Sequence, residues 1–286
     1  MGRAGPGLLR RAHRSSARDG ELGGLCCDSI SVAYSGLTAL ASVSFSIERG
    51  EVVGLIGPNG AGKTTLVNAM SGFARISQGS IRLAGREISR LAAERRARLG
   101  LARTFQHGRL FADLSVRENV ELGALAVGCR ANEARRRAGA LLDELGLAAL
   151  GATTASELSH GDQQRVSVAR AVIAEPTFLL LDEPAAGLPA DSLGELRLLV
   201  LHARDTRGAG VVVIDHNVEF VLGLSDRVVV LDHGALLAEG SPEYVRGHAG
   251  VMSAYFGAAA GERGAPARSS APRREERTSP AEETRR

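Results

Sequence analysis

Gly57-Pro58-Asn59-Gly60-Ala61-Gly62-Lys63-Thr64-Thr65 follows directly on the apolar run Glu51–Ile56 and precedes a stretch of helical spacing that reaches about Ser71. The first eight of these residues, Gly57–Thr64, fit the pattern G-x-x-x-x-G-K-[ST], and they stand between a strand and a helix, the setting its chemistry requires. Glycines allow the backbone to wrap closely, so that successive N–H groups point at phosphate oxygens. The helix that follows turns its positive N-terminus toward the same anion. In this motif Lys63 reaches the β- and γ-phosphates, and the Thr64 hydroxyl is a ligand for Mg²⁺. Lys63 is also the only lysine in the chain. Arginine takes every other basic position except the histidines, so residue 63 requires an ammonium.

Working outward, short apolar runs recur at Phe178–Leu181, Val211–Ile214 and Val228–Leu231, with helical segments between them. Strand–helix alternation with short continuous apolar strands indicates a mostly parallel sheet covered on both faces, an α/β architecture. Ser29–Tyr34 and Val43–Ile47 read as strands of an antiparallel edge, and Ile81–Leu83 as a further short strand. From about His107 to Ala155 the chain is rich in Ala, Leu, Arg and Glu with helical spacing, as in Ala131–Leu145, which reads as a helical insertion. Residues 1–24 and 257–286 lack apolar periodicity and are expected to be disordered tails.

The second chemical signal is Phe178-Leu179-Leu180-Leu181-Asp182-Glu183. It sets two carboxylates at the C-terminal end of a buried strand, where ligands sit in open α/β sheets. An unpaired carboxylate there is costly, so a cation partner is expected. Asp182 suits Mg²⁺, directly or through water. Glu183, one residue on, is the candidate general base for an attacking water.

Composition narrows the classes. Hydrophobic residues make up 44% and charged residues 23% of 286, enough to bury a sizeable core. No apolar run approaches the roughly 20 residues that span a bilayer, and the Arg-rich start lacks the apolar stretch of a secretory signal. Cys26, Cys27 and Cys129 form neither a disulfide framework nor a metal-binding spacing. The net charge of +3 and an aromatic content of 3% argue against a nucleic-acid groove, because base stacking needs rings.

Between the two motifs stand Gln106 and the stretch Leu158-Ser159-His160-Gly161-Asp162-Gln163-Gln164-Arg165. With these, the ordered set resembles the nucleotide-binding domains of ABC ATPases over about residues 25–257, Leu158–Gln163 matching the family's LSGGQ-type loop. The resemblance implies a P-loop ABC ATPase fold: a mixed, mostly parallel core sheet, an antiparallel β edge subdomain, and a helical subdomain at about 107–165, between tails at 1–24 and 258–286. It implies ATP and Mg²⁺ as ligands, and it assigns roles by position. Tyr34, which by itself reads as an ordinary strand tyrosine, matches the aromatic that stacks on adenine. Gln106 matches the glutamine that joins the Mg²⁺ and water site to the helical subdomain. His216, by itself a structural histidine, matches the switch residue on the γ-phosphate. Ser159 and Gly161 would close on the ATP held by a second subunit.

Three further stretches, residues 101–111 (Leu-Ala-Arg-Thr-Phe-Gln-His-Gly-Arg-Leu-Phe), 182–188 (Asp-Glu-Pro-Ala-Ala-Gly-Leu) and the closing Glu239-Gly240-Ser241-Pro242 with Tyr255-Phe256-Gly257, resemble the ATP-binding subunits of branched-chain amino-acid importers. That narrower resemblance implies a peripheral protein on the inner face of the plasma membrane, held by membrane-spanning permease subunits and paired with a second ATPase subunit. Importers of urea or short amides share much of the vocabulary. A low-turnover nucleotide-binding regulator and a non-transport ABC ATPase are the readings from other classes. The pattern departs at Pro189, where the family usually has Asp or Asn facing the opposite subunit. Proline removes a side-chain hydrogen-bonding group and a backbone donor, so weaker coupling between two ATP sites, or a complementary partner subunit, is expected.

Overall fold

The computed structural model describes residues 23–105 and 110–255. Its chain-order elements begin with Leu25–Tyr34 (β1) and Leu37–Ile47 (β2), an antiparallel hairpin, then Val52–Ile56 (β3) and helix Lys63–Ser71 (α1). Gln78–Leu83 (β4), Arg86–Glu87 (β5), helix Ala93–Arg98 (α2) and Leu101–Arg103 (β6) follow. Next come helices Val116–Ala126 (α3), Ala131–Glu144 (α4) and His160–Val172 (α5), then Phe178–Asp182 (β7) and Ala190–Arg207 (α6). Gly210–Ile214 (β8), Val218–Leu224 (α7), Arg227–Asp232 (β9), Ala235–Gly240 (β10) and Pro242–Gly247 (α8) follow, and the described residues end in a helical stretch at 249–255.

Two sheets result. One is antiparallel, in the order β2-β1-β4-β5, and the other has the order β10-β9-β3-β8-β7-β6. In the second, β9-β3-β8-β7-β6 pair in parallel and only the β10 edge is antiparallel. The strands β3, β7 and β8 are buried at every residue, as a sheet covered on both faces demands. Side chains alternate between the faces. Leu179, Leu181, Val211 and Val213 pack with the helical layer. Phe178, Leu180, Val212 and Ile214 pack with the antiparallel sheet and α1. Burying such side chains contributes about 1.5–3 kcal/mol each.

The strands expected at Ser29–Tyr34, Val43–Ile47, Glu51–Ile56 and Ile81–Leu83 are present, with the first, second and fourth longer than the patterning indicates. Three short strands went unread. β6 has three residues and ends in arginine, β5 has two exposed charged residues, and β10 is a half-exposed edge without β-branched residues. The stretch read as helical carries α3, α4 and two short 3₁₀ turns. Helix α3 begins with a reciprocal capping box between Ser115 and Glu118. The expected tails lie outside the described residues except for Gly23 and Gly24.

Candidate functional site

Strands β3, β8 and β7 are neighbours and parallel, so their C-terminal ends emerge side by side. The loop 57–62 leaves β3, Glu183 leaves β7, and Asp215 and His216 leave β8. This is the edge of an open α/β sheet where ligands bind.

The loop after β3 is tightly constrained. Gly57 lies at φ 154°, and a Cβ there would sit 2.2 Å from the Leu231 carbonyl oxygen. Gly62 lies at φ 99°, with space closed off by Leu40 at 2.7 Å and the Ala39 carbonyl at 2.9 Å. Only glycine satisfies both positions. Gly62 is the N-cap of α1, which has neither a side-chain cap bond nor an acidic residue in its first turn. The first N–H groups of the helix therefore lack side-chain acceptors, which suits an anion. Thr64 is exposed, Thr65 half-buried, and Asn59 and Gly60 stand at the exposed crest between half-buried Pro58 and buried Ala61.

Lys63 is buried, and its Nζ donates to the carbonyls of Gly57 at 2.6 Å and Pro58 at 3.0 Å. Burial pushes the Lys63 ammonium below its ordinary value, while the carboxylates of Glu183 and Asp182 pull it back up. The ammonium thus lies within the field of both acids at the end of β7. Asp182 is buried and paired with Arg103, Oδ2 to Nη2 at 2.8 Å, and its N–H donates to the Thr104 hydroxyl at 3.3 Å.

Glu183 has φ 51°, a left-handed conformation rare for a residue with a side chain. Its N–H donates to the Ile214 carbonyl at 2.8 Å, and its Oε1 lies 2.9 Å from His216 Nε2. Such backbone strain costs about 1–3 kcal/mol and survives where surrounding contacts enforce it. Two residues further on the chain is held by Asp215, whose carboxylate accepts from the N–H of Ala185 at 2.7 Å and of Asn217 at 2.9 Å. One buried carboxylate thereby fixes the segments carrying both Glu183 and His216. Burial raises the Asp215 pKa, with the two backbone donors acting in the opposite sense.

Lys63, Asp182, Glu183 and His216 are thus gathered at one edge, and Gln106 lies outside the described residues. Tyr34 ends β1 with 49% of its surface exposed, on the hairpin whose second strand packs against Gly62. Ser159 and Gly161 occupy a different place, the N-terminus of α5. Ser159 Oγ accepts from Asp162 N–H at 3.1 Å, and Gly161 faces Ser192 at the start of α6. His160 Nε2 contacts the Ala186 carbonyl at 2.9 Å, tying this loop to the segment that ends at Pro189, the N-cap of α6.

The sequence gives no sign of two contacts that hold this edge, those of Asp215 and Tyr255. Asp215 carried only the signal of an acid after an apolar strand. The Tyr255 hydroxyl accepts the Gly57 N–H at 2.7 Å across nearly 200 residues of chain, a contact no local pattern announces.

A sequence model of the family described as "ABC transporter" matches residues 40–186. The chain is 38% identical over 250 residues to the high-affinity branched-chain amino acid transport ATP-binding protein LivG of Salmonella typhimurium, covering 82% of this chain and 98% of the relative. It is 39% identical over 233 residues to the lipopolysaccharide export system ATP-binding protein LptB of Acidithiobacillus ferridurans, covering 82% and 96%. Among solved structures, an ATP-binding cassette of an ABC transporter in its ADP conformation aligns with a TM-score of 0.73 at 28% identity, covering 82% of this chain and 98% of that one. A dimeric, post-hydrolysis cassette bound to ADP and Pi aligns with a TM-score of 0.69 at 25% identity, covering 76% and 98%. With the phosphate-binding loop and the acids of β7 at the same edge of the sheet, on strands either side of β8, and with these matches along most of its length, the chain belongs to the ABC transporter family and is one of its ATPases.

Proposed function

We propose that this chain is the ATP-hydrolysing subunit of a membrane importer for branched-chain or related amino acids, with Lys63 binding the substrate phosphates and Glu183 acting as general base. The observation that carries the chemical part is the Glu183–His216 contact of 2.9 Å on a strained residue beside Asp182. ATP phosphates would take over the two Lys63 hydrogen bonds now made to carbonyls, along with the open N–H groups of α1. With the proton on His216 Nε2, the imidazole donates to Glu183 Oε1 and orients the carboxylate that takes a proton from the attacking water. Tyr34 would stack on the adenine.

The donor set suits magnesium. Thr64 and Asp182 supply hard oxygens, and among the described residues no group of three or more His, Cys, Asp or Glu converges into a cage. That fits an ion which takes one or two protein oxygens and completes its shell from phosphates and water. When bound, Mg²⁺ supplies charge neutralisation on the transferring phosphoryl group; Thr64, Asp182 and Gln106 would hold it.

Ser159 and Gly161 stand apart from Lys63, which supports a head-to-tail dimer in which each subunit closes on its partner's nucleotide. The dimeric relative bound to ADP and Pi supports the same arrangement. Among the described residues no helix is long and apolar enough to cross a membrane. Attachment to the inner face of the plasma membrane would come through permease subunits docked between the 106 region and the helices α3 and α5.

The importer reading rests on the LivG likeness along 98% of that relative. It is tested by replacing the chain with Lys63→Ala in its own cell and measuring uptake of labelled leucine, isoleucine, valine and urea. Loss of branched-chain uptake is expected. Loss of urea uptake alone would move the assignment to short amides, and no change in any of them would refute the importer role.

A further inference from the structure

Arg103, the last residue of β6, touches two regions at once. Its Nη2 binds Asp182 Oδ2 at 2.8 Å, while Nη1 donates to Asn68 Oδ1 at 2.6 Å and Ser71 Oγ at 3.0 Å on α1. The side chains of Arg103 and Asp182 are only 7% and 6% exposed. The guanidinium also lies over two rings, 4.9 Å from Phe105 and 5.5 Å from Phe73, which meet edge-to-face at 5.3 Å. Phe73, Arg103 and Phe105 together line a groove of about 790 Å³ whose wall also includes Leu122 and Gly123 of α3 and Arg170 of α5.

A side chain shared in this way cannot be indifferent to what binds Asp182. A divalent cation and the guanidinium compete for one negative charge, and they repel each other most strongly where water is excluded. Cation binding therefore loosens the Arg103–Asp182 pair, leaving Arg103 with two uncharged acceptors on α1 and two rings. We propose that Arg103 is a positioning residue which couples divalent-cation occupancy at Asp182 to the packing of the groove wall at Phe73 and Phe105. The proposal rests on the reading of Asp182 as a cation ligand. Coupling of this kind is reciprocal, so an occupant pressing on the two rings would bias the Asp182 carboxylate in turn. A purely structural ion pair, joining β6, β7 and α1, would show no such dependence.

The chain contains no tryptophan, and Phe73 is 58% exposed, so Phe73→Trp places a single emitting ring beside the guanidinium. In the full chain carrying Glu183→Gln to slow turnover, emission is followed on adding ATP in EDTA and then excess Mg²⁺. Equilibrium dialysis with radiolabelled ATP reports binding separately. The expected result is a saturable change that appears only with Mg²⁺. Arg103→Lys, which keeps the charge but loses the planar fork, should lose at least half of that change while still retaining ATP. Arg103→Gln should lose nearly all of it, and the lysine variant decides alone if the glutamine variant does not fold. An undiminished change in Arg103→Lys, or no Mg²⁺-dependent change in a parent protein that binds Mg-ATP, overturns the proposal. A parent protein that retains no Mg-ATP in dialysis overturns the site reading and this coupling with it.

Discussion

Replacing Tyr255 by phenylalanine removes one oxygen atom and leaves the ring to pack. That oxygen is the acceptor for the Gly57 N–H at 2.7 Å, and Gly57 is buried. The variant therefore strands a buried donor, at a cost of about 1–3 kcal/mol. For a chain of this size 1 kcal/mol corresponds to roughly 2–4 °C in Tm, so a midpoint cost of about 2 kcal/mol lowers Tm by about 4–8 °C. The binding effect is smaller. Freeing the Gly57 peptide by about 1 kcal/mol reduces the competent loop population at most about fivefold, which caps the loss of ATP affinity at the same factor. Circular-dichroism melts without nucleotide give the first number, and ATP titration in a Glu183→Gln background gives the second. A melting point within about 1 °C of the parent, with unchanged affinity, would refute the idea that this hydroxyl supports the phosphate-binding loop.

Two other substitutions separate function from stability at this edge. Lys63→Met should weaken ATP binding by about 3 kcal/mol or more, roughly a hundredfold in Kd, through loss of charge-assisted bonds. Because burial disfavours the Lys63 ammonium, the same variant should melt no lower than the parent; a clear drop would show the ammonium to be structural. Asp215→Asn sets an amide NH₂ against one of two backbone donors, and urea unfolding should report a loss of about 1–3 kcal/mol. Burial raises the Asp215 pKa above its ordinary 3.8, so the native state holds the proton more tightly than the unfolded one. Parent stability from this group should therefore fall as pH rises from about 4 through the raised value, a slope the asparagine variant should lack. Identical pH profiles for the two proteins would contradict that sign.

What the sequence disclosed was local, and what it concealed was remote in the chain. Loop 57–65 was readable because its glycines, lysine and flanking strand and helix are contiguous, and the acids at 182 and 183 because a run of apolar residues points at them. Glu183 and His216 could be named separately, yet their mutual contact depends on β7 and β8 lying side by side, which no single stretch encodes. Asp215 joins residues from two loops, and Tyr255 reaches back almost the full length of the fold. Arg103 stood inside the 101–111 stretch without a role of its own; its placement beside Asp182 arises from the three-residue strand β6, too short to announce itself.

The most direct test of the account compares Glu183→Gln with the parent chain in two assays, ATP hydrolysis with Mg²⁺ and retention of labelled ATP. General-base loss typically costs about 10²–10⁴ in rate without removing the phosphate contacts. The expected outcome is hydrolysis reduced by that factor with ATP retained at least as well as by the parent. Hydrolysis at the parent rate would contradict the assignment of Glu183 as the base at this sheet edge.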